Sequence, residues 1–69
     1  MEKLYLATYS VYRNSSPCGT EEYEIYAETE EEARQQAEEY QDRLETSYGI
    51  KDPDNDYWCP LEELEKAED

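Results

Sequence analysis

A strand that runs through a capped turn into a helix constrains this chain more than anything else in it. Residues 21–49 read EEYEIYAETEEEARQQAEEYQDRLETSYG. Ile25 and Ala27 alternate with charged or amphipathic residues, the period-two pattern of a half-buried strand. Thr29 stands three residues before Glu32. At that spacing the threonine oxygen accepts a first-turn N–H and the glutamate reaches back to the cap. Ala33, Ala37, Tyr40, Leu44 and Tyr48 then follow at steps of four, three, four and four, which keeps them on one helical stripe. Glu30, Glu31 and Glu32 lie at the positive end of the helix dipole. Gly49 stands where a left-handed residue would end the helix. The pattern predicts a strand over 21–28 and a helix over 30–48.

Upstream, residues 3–13 read KLYLATYSVYR, rich in tyrosine, leucine and valine, and predict a strand. Tyr5, Ala7, Tyr9 and Val11 point one way; Leu4, Leu6, Thr8, Ser10 and Tyr12 point the other. Both sets have a claim to burial, so the period alone does not choose between them. In the second strand Tyr23, Ile25 and Ala27 face in, and Glu22, Glu24, Tyr26 and Glu28 face out. The intervening NSSPCGT, residues 14–20, predicts a hairpin loop longer than the two-residue minimum. Beyond Gly49, Asp52-Pro53 and Asn55 mark a turn. Tyr57 and Trp58 are expected to anchor the segment on the core, with a short third strand as an option, because a lone two-stranded sheet is marginal. Pro60 suits the first position of a helix. Leu61 and Leu64 give the following residues one apolar edge, so a short helix is predicted over 61–67, fraying at Glu68 and Asp69. The fold class expected is α+β: an N-terminal antiparallel β-hairpin packed on one long helix, then a short C-terminal helix, as one small acidic domain over residues 1–69.

Charge bounds the function. Twenty acids oppose six bases, with no histidine, for a net charge of −14. Residues 1–20 set Glu2 against Lys3 and Arg13, a net of +1, and the nineteen acids of 21–69 face Arg34, Arg43, Lys51 and Lys66, a net of −15. Self-repulsion at this density opposes compaction. The composition also admits disorder; eight tyrosines, a tryptophan and the helical stripe argue for a fold. No apolar run is long enough to span a membrane, and LYLA is too short for a signal peptide, so a cytoplasmic place in a host cell is expected. Cys18 and Cys59 read as free thiols, with a disulfide between them as the alternative. They cannot alone build a structural zinc site, which needs four ligands. Without histidine a serine or cysteine lacks its usual base, and two glycines do not make a phosphate loop. No enzyme activity and no cofactor are expected. Asp52, Asp54, Asp56 and Glu63 match positions one, three, five and twelve of a calcium loop. Tyr57 stands where that loop needs glycine, and Pro60 occupies position nine, so a polar turn with excess acid is the competing reading.

The acidic pattern is the strongest functional signal. Glu31, Glu38, Asp42 and Glu45 recur along the helix face away from the apolar stripe, and Glu22, Glu24 and Glu28 form a second row on the hairpin. Steps of three or four residues separate helix carboxylates by ~5–6 Å, and duplex DNA carries about one charge per ~1.7 Å of axis. Ordinary solubility asks for a net charge of magnitude ~2–8 with both signs interspersed. The excess disfavours direct binding of nucleic acid or anionic lipid and favours a basic partner. In size, charge and the order hairpin–helix the chain resembles the small acidic inhibitors encoded by phages and mobile elements, among them anti-CRISPR proteins, anti-restriction proteins and uracil-glycosylase inhibitors. The segment EIYAETEEEARQQA looks like a β-to-α element common in short phage and bacterial proteins. The likeness covers the layout of residues 3–48 and carries no invariant motif. It implies a DNA mimic that occupies a basic nucleic-acid channel, foremost on a CRISPR effector complex. The residues expected to meet the partner are Glu22, Glu24, Tyr26, Glu28, Glu31, Glu38, Asp42 and Glu45, with Tyr26 adding apolar contact beside the acids. The chain itself is expected to be a monomer or a homodimer. The competing expectation is a cytosolic interaction module that uses Tyr12, Tyr26 and Trp58 rather than charge.

Overall fold

Strand β1 (Lys3–Arg13) forms the middle of the sheet. Between its terminal Lys3 and Arg13 it has no charged residue, so it suits a position with a neighbour on each edge, whereas charged strands suit sheet edges. Strand β2 (Ser16–Ala27) pairs antiparallel along one edge. Strands β3 (Tyr57–Trp58) and β4 (Leu61–Glu68) pair antiparallel in turn along the other. Helix α1 (Glu30–Lys51) lies across one face. The fold is therefore α+β, with the hairpin packed on one long helix, as expected. It is seen in a computed structural model that describes residues 1–68, Glu68 by its backbone alone. The molecule measures 43 × 18 × 15 Å.

Four local expectations change. The hairpin turn is only Asn14 and Ser15, at φ 51° and 70°, and β2 begins at Ser16. Two left-handed residues give a turn whose twist matches the flanking strands, and asparagine tolerates that conformation. Asn14 also ties the turn down: its Oδ1 accepts the Asp56 N–H at 2.9 Å and its Nδ2 donates to Asn55 Oδ1 at 2.7 Å. The residues read as a loop are absorbed by a bulge, where Val11 faces Gly19, Tyr12 faces Pro17 and Cys18 has no opposite.

Helix α1 starts where expected, with Thr29 Oγ1 accepting the Glu32 N–H at 3.2 Å. Glu32 Oε2 reaches back one residue further than a capping box, to the Glu28 N–H at 3.2 Å. The helix continues through Gly49 to Lys51, and the Asp52 N–H closes it on the Tyr48 carbonyl at 2.9 Å. Pro53 stops it, because a residue before proline is pushed out of the helical region.

The largest correction is at the C-terminus, where the helix expected over 61–67 is strand β4. LEELEKAE has helical composition, yet so short a helix is marginal alone. The second edge of β1, by contrast, holds backbone groups that need partners. The three-residue spacing of Leu61 and Leu64, which looked helical, is accommodated by a register shift. Leu61 faces Tyr9, Glu63 faces Thr8 and Leu64 faces Ala7, so Glu62 is the extra residue and both leucines turn toward α1. Glu68 is the last residue of β4; Asp69, where fraying was also expected, lies outside the described residues.

The core settles the ambiguity of β1. Tyr5, Ala7, Tyr9 and Val11 are buried with Ile25 and Ala27 against Ala33, Ala37 and Leu44. The two alanines let the helix come close enough for the Tyr9 hydroxyl to donate to the Ala37 carbonyl at 2.6 Å. Burial pushes the Tyr9 phenol up to about 12. Tyr40 stacks on Tyr23 and Tyr48 on Tyr57, and the Tyr48 hydroxyl donates to Glu21 at 2.7 Å. Both cysteines are free thiols: Cys18 exposed, Cys59 in the core, its thiol pushed up to about 11, first by burial and then by the nearby Glu45.

Candidate functional site

The face of the sheet away from α1 has no covering element among the described residues. Cross-strand partners point to the same side, so the register defines that face residue by residue. Along its centre run Leu4, Leu6, Thr8, Ser10 and Tyr12, all half-buried between their neighbours. Glu24 and Glu65 flank Leu6 from the two sides, and Glu22 and Glu63 flank Thr8. Tyr26 stands beside Leu4, and Trp58 beside Tyr12. The four glutamates are exposed. At ~4.8 Å per strand the two acidic rows lie ~10 Å apart, and within a row the carboxylates repeat every ~6.7 Å.

The bases lie elsewhere. Lys3 faces Ala27, Arg13 faces Tyr57 and Lys66 faces Tyr5, all on the helix side of the sheet, while Arg34, Arg43 and Lys51 belong to α1. Among the residues whose side chains are described, the open face thus combines Glu22, Glu24, Glu63 and Glu65 with no base and two exposed rings. Trp58 is 56% and Tyr26 53% exposed, and Trp58 stacks on Tyr12 at 5.1 Å between centroids. Large exposed aromatics beside a half-buried apolar stripe mark a surface suited to contact.

The residues expected from the sequence divide between two sides of the molecule. Glu22, Glu24 and Tyr26 stand together on the open face. Glu31, Glu38 and Asp42 are exposed on α1, across the sheet from them, so a flat partner cannot touch both groups at once. Glu28 sits at the entry to α1, its N–H held by Glu32. Glu45 is half-buried and serves the fold instead. Its Oε2 accepts the Cys59 N–H at 2.9 Å and lies 3.5 Å from the donating Gln41 Nε2. It holds the β3–β4 connection against the helix. Arg34 pairs with Glu30 at 3.6 Å, and Arg43 lies over the Tyr40 ring at 5.6 Å. The α1 surface is therefore of mixed sign where the open face is not.

Sequence reasoning missed Glu63 and Glu65, because it placed them on a helix. Tyr12 and Trp58, expected to serve a different kind of partner, lie on the same face as Glu22 and Glu24. The signal that could have found the face was the uncharged run from Leu4 to Tyr12, which asks for a strand on each edge.

The turn with calcium-loop spacing takes another form. Asp52 caps α1, and its Oδ2 accepts from Asn55 Nδ2 at 2.8 Å and the Tyr57 hydroxyl at 2.9 Å. Those bonds, with Asn55 first, hold its carboxyl below the ordinary range. Glu63 is on β4, so no second helix follows the loop, and among the described residues no group of acids, cysteines or histidines is placed to hold a metal ion. No helix of the described residues is long and apolar enough to cross a membrane. Compared with known protein families, curated proteins and solved structures, the chain matches none.

Proposed function

We propose that this protein is an acidic DNA mimic that occupies a basic nucleic-acid-binding groove on another protein, foremost the target-DNA channel of a CRISPR effector complex. The observation that carries the reading is the open face, where Glu22, Glu24, Glu63 and Glu65 form two rows with no base among them. Within each row the carboxylates repeat every ~6.7 Å, about two steps of the ~3.4 Å that separate charges along one strand of DNA. A channel that holds a heteroduplex by its backbone is lined with positive charge, and carboxylates on a rigid sheet meet such side chains through charge-assisted hydrogen bonds. Glu31, Glu38 and Asp42 add long-range attraction from the far side and speed association. Tyr12, Tyr26 and Trp58 add apolar contact to the same face, so the tyrosine-led reading becomes a component of this one.

Competition tests it. Labelled target DNA is bound to purified CRISPR effector complexes, and the protein is added to saturation. DNA is expected to be released, and less of it as salt shortens the Debye length from ~10 Å at 0.1 M to ~3 Å at 1 M. Unchanged DNA binding across those complexes overturns the CRISPR assignment. Failure to displace DNA from restriction enzymes as well overturns DNA mimicry.

A further inference from the structure

We infer that the open face seats a basic amphipathic α-helix of the partner protein, lying along β1. The inference rests on the reading that the partner is a basic protein and specifies which of its elements is held. Three observations carry it. The stripe from Leu4 to Tyr12 is eight residue steps long, ~27 Å of strand, which matches about five turns, or ~18 residues, of helix. The acidic rows stand ~10 Å apart, close to the ~10–12 Å width of a helix with its side chains. An apolar helix stripe set on Leu4, Leu6 and Tyr12 therefore carries its flanking residues over Glu24 and Glu22 on one side and Glu65 and Glu63 on the other. The same sheet, finally, already holds one helix on its opposite face, with Ala37 close enough for its carbonyl to accept from the Tyr9 hydroxyl.

The face also specifies the order of side chains in its occupant. Its large apolar side chains gather toward two ends: Leu4, Leu6 and Tyr26 at one, with Glu24 and Glu65 flanking Leu6, and Tyr12 and Trp58 at the other. Its middle is polar, with Thr8 between Glu22 and Glu63 and Ser10 next to it. The partner helix accordingly presents aliphatic or aromatic residues in its first and last turns, Lys or Arg on both flanks and an Arg at mid-span. Arginine suits that place because its planar fork bonds a carboxylate bidentately. The helix of a second copy is a poor occupant by charge: its outer side bears Glu31, Glu38, Glu39 and Asp42, which would face the acidic rows.

The probe is a synthetic helical peptide of about 18 residues, with Leu in the first and last turns of one stripe, an Arg at its mid-span and Lys and Arg on its flanks, compared with a scramble of the same composition. Binding is mapped by amide chemical shifts on the unmodified protein and followed by Trp58 fluorescence. The expected result is saturable binding, with shifts at Leu4, Leu6, Thr8, Tyr12, Trp58, Glu63 and Glu65, and about tenfold weaker binding of the scramble, equivalent to ~1.4 kcal/mol. The double variant Glu24→Gln, Glu65→Gln should weaken the ordered peptide and leave the dispersion of the amide spectrum unchanged. Equal binding of the scramble, or shifts confined to the outer side of α1, overturns the inference and leaves the proposed function standing. Seating of the ordered peptide on the open face together with failure of every DNA competition does the reverse.

Discussion

The two faces of β1 differ in what covers them, although both are built from one alternating strand. On the helix side Tyr5, Ala7, Tyr9 and Val11 are at most 3% exposed. On the open side Leu4, Leu6, Thr8, Ser10 and Tyr12 keep part of their surface in water. Hydropathy does not distinguish the sets, since each holds three aromatic or branched aliphatic residues. The helix does. α1 covers the side of Tyr5, Ala7, Tyr9 and Val11, which pack with Ile25, Ala27, Ala33, Ala37 and Leu44 into one core, and nothing among the described residues covers Leu4 and Leu6. Stability is thus concentrated on one side, and the other keeps its acidic side chains in water.

Substitutions can break that division. Ile25→Ala, on the helix side, should cost the most, about 2–5 kcal/mol, because a fully buried side chain leaves a cavity. Leu6→Ala, on the open side, should cost well under that in the same urea titration, since only part of its surface is buried. Equal costs would mean that both faces are core. Tyr9→Phe should cost about 1 kcal/mol by removing the buried bond to Ala37.

Alkaline titration examines the same side. Burial raises the Tyr9 phenol from 10.0 to about 12 and the Cys59 thiol from 9.0 to about 11. Both are neutral when protonated, so their contribution is fully present below the unfolded values and is lost as pH rises through the folded ones. Circular dichroism should therefore show stability falling between about pH 9 and 12, and Tyr9→Phe should flatten the upper part of that fall.

The smallest effects belong to the open face. Neutralising Glu24 and Glu65 to Gln should change stability by no more than about 0.5 kcal/mol, and in the stabilising direction, because self-repulsion falls. Added salt should likewise raise the melting temperature, while it would weaken the proposed complex. A fall in melting temperature with salt would mean that ion pairs, not burial, hold the fold.

The legible part of the fold was the part with local chemistry. Thr29, Glu32 and the alanine–leucine stripe specify α1 without help from the rest of the chain. Tyr57 and Trp58 suggested a third strand, which is present. The turn at Asn14 was hidden because Ser, Pro and Gly after it look like loop, and a bulge at Cys18 turns them into strand. Residues 61–68 were misread because their composition favours helix while the vacant edge of β1 decides for strand, and no local pattern reports a vacant edge. Half of the candidate site went with them: Glu22 and Glu24 were visible as an outward row, but Glu63 and Glu65 join them only through that pairing.

Position and net charge are separated most directly by two variants that each remove four charges. One carries Glu22→Gln, Glu24→Gln, Glu63→Gln and Glu65→Gln on the open face; the other carries Glu31→Gln, Glu38→Gln, Glu39→Gln and Asp42→Asn on α1. Both are titrated against an effector complex holding labelled target DNA. The open-face variant should fail to displace DNA at concentrations where the α1 variant still does. Equal loss in the two, or greater loss in the α1 variant, would contradict the assignment of binding to the open face.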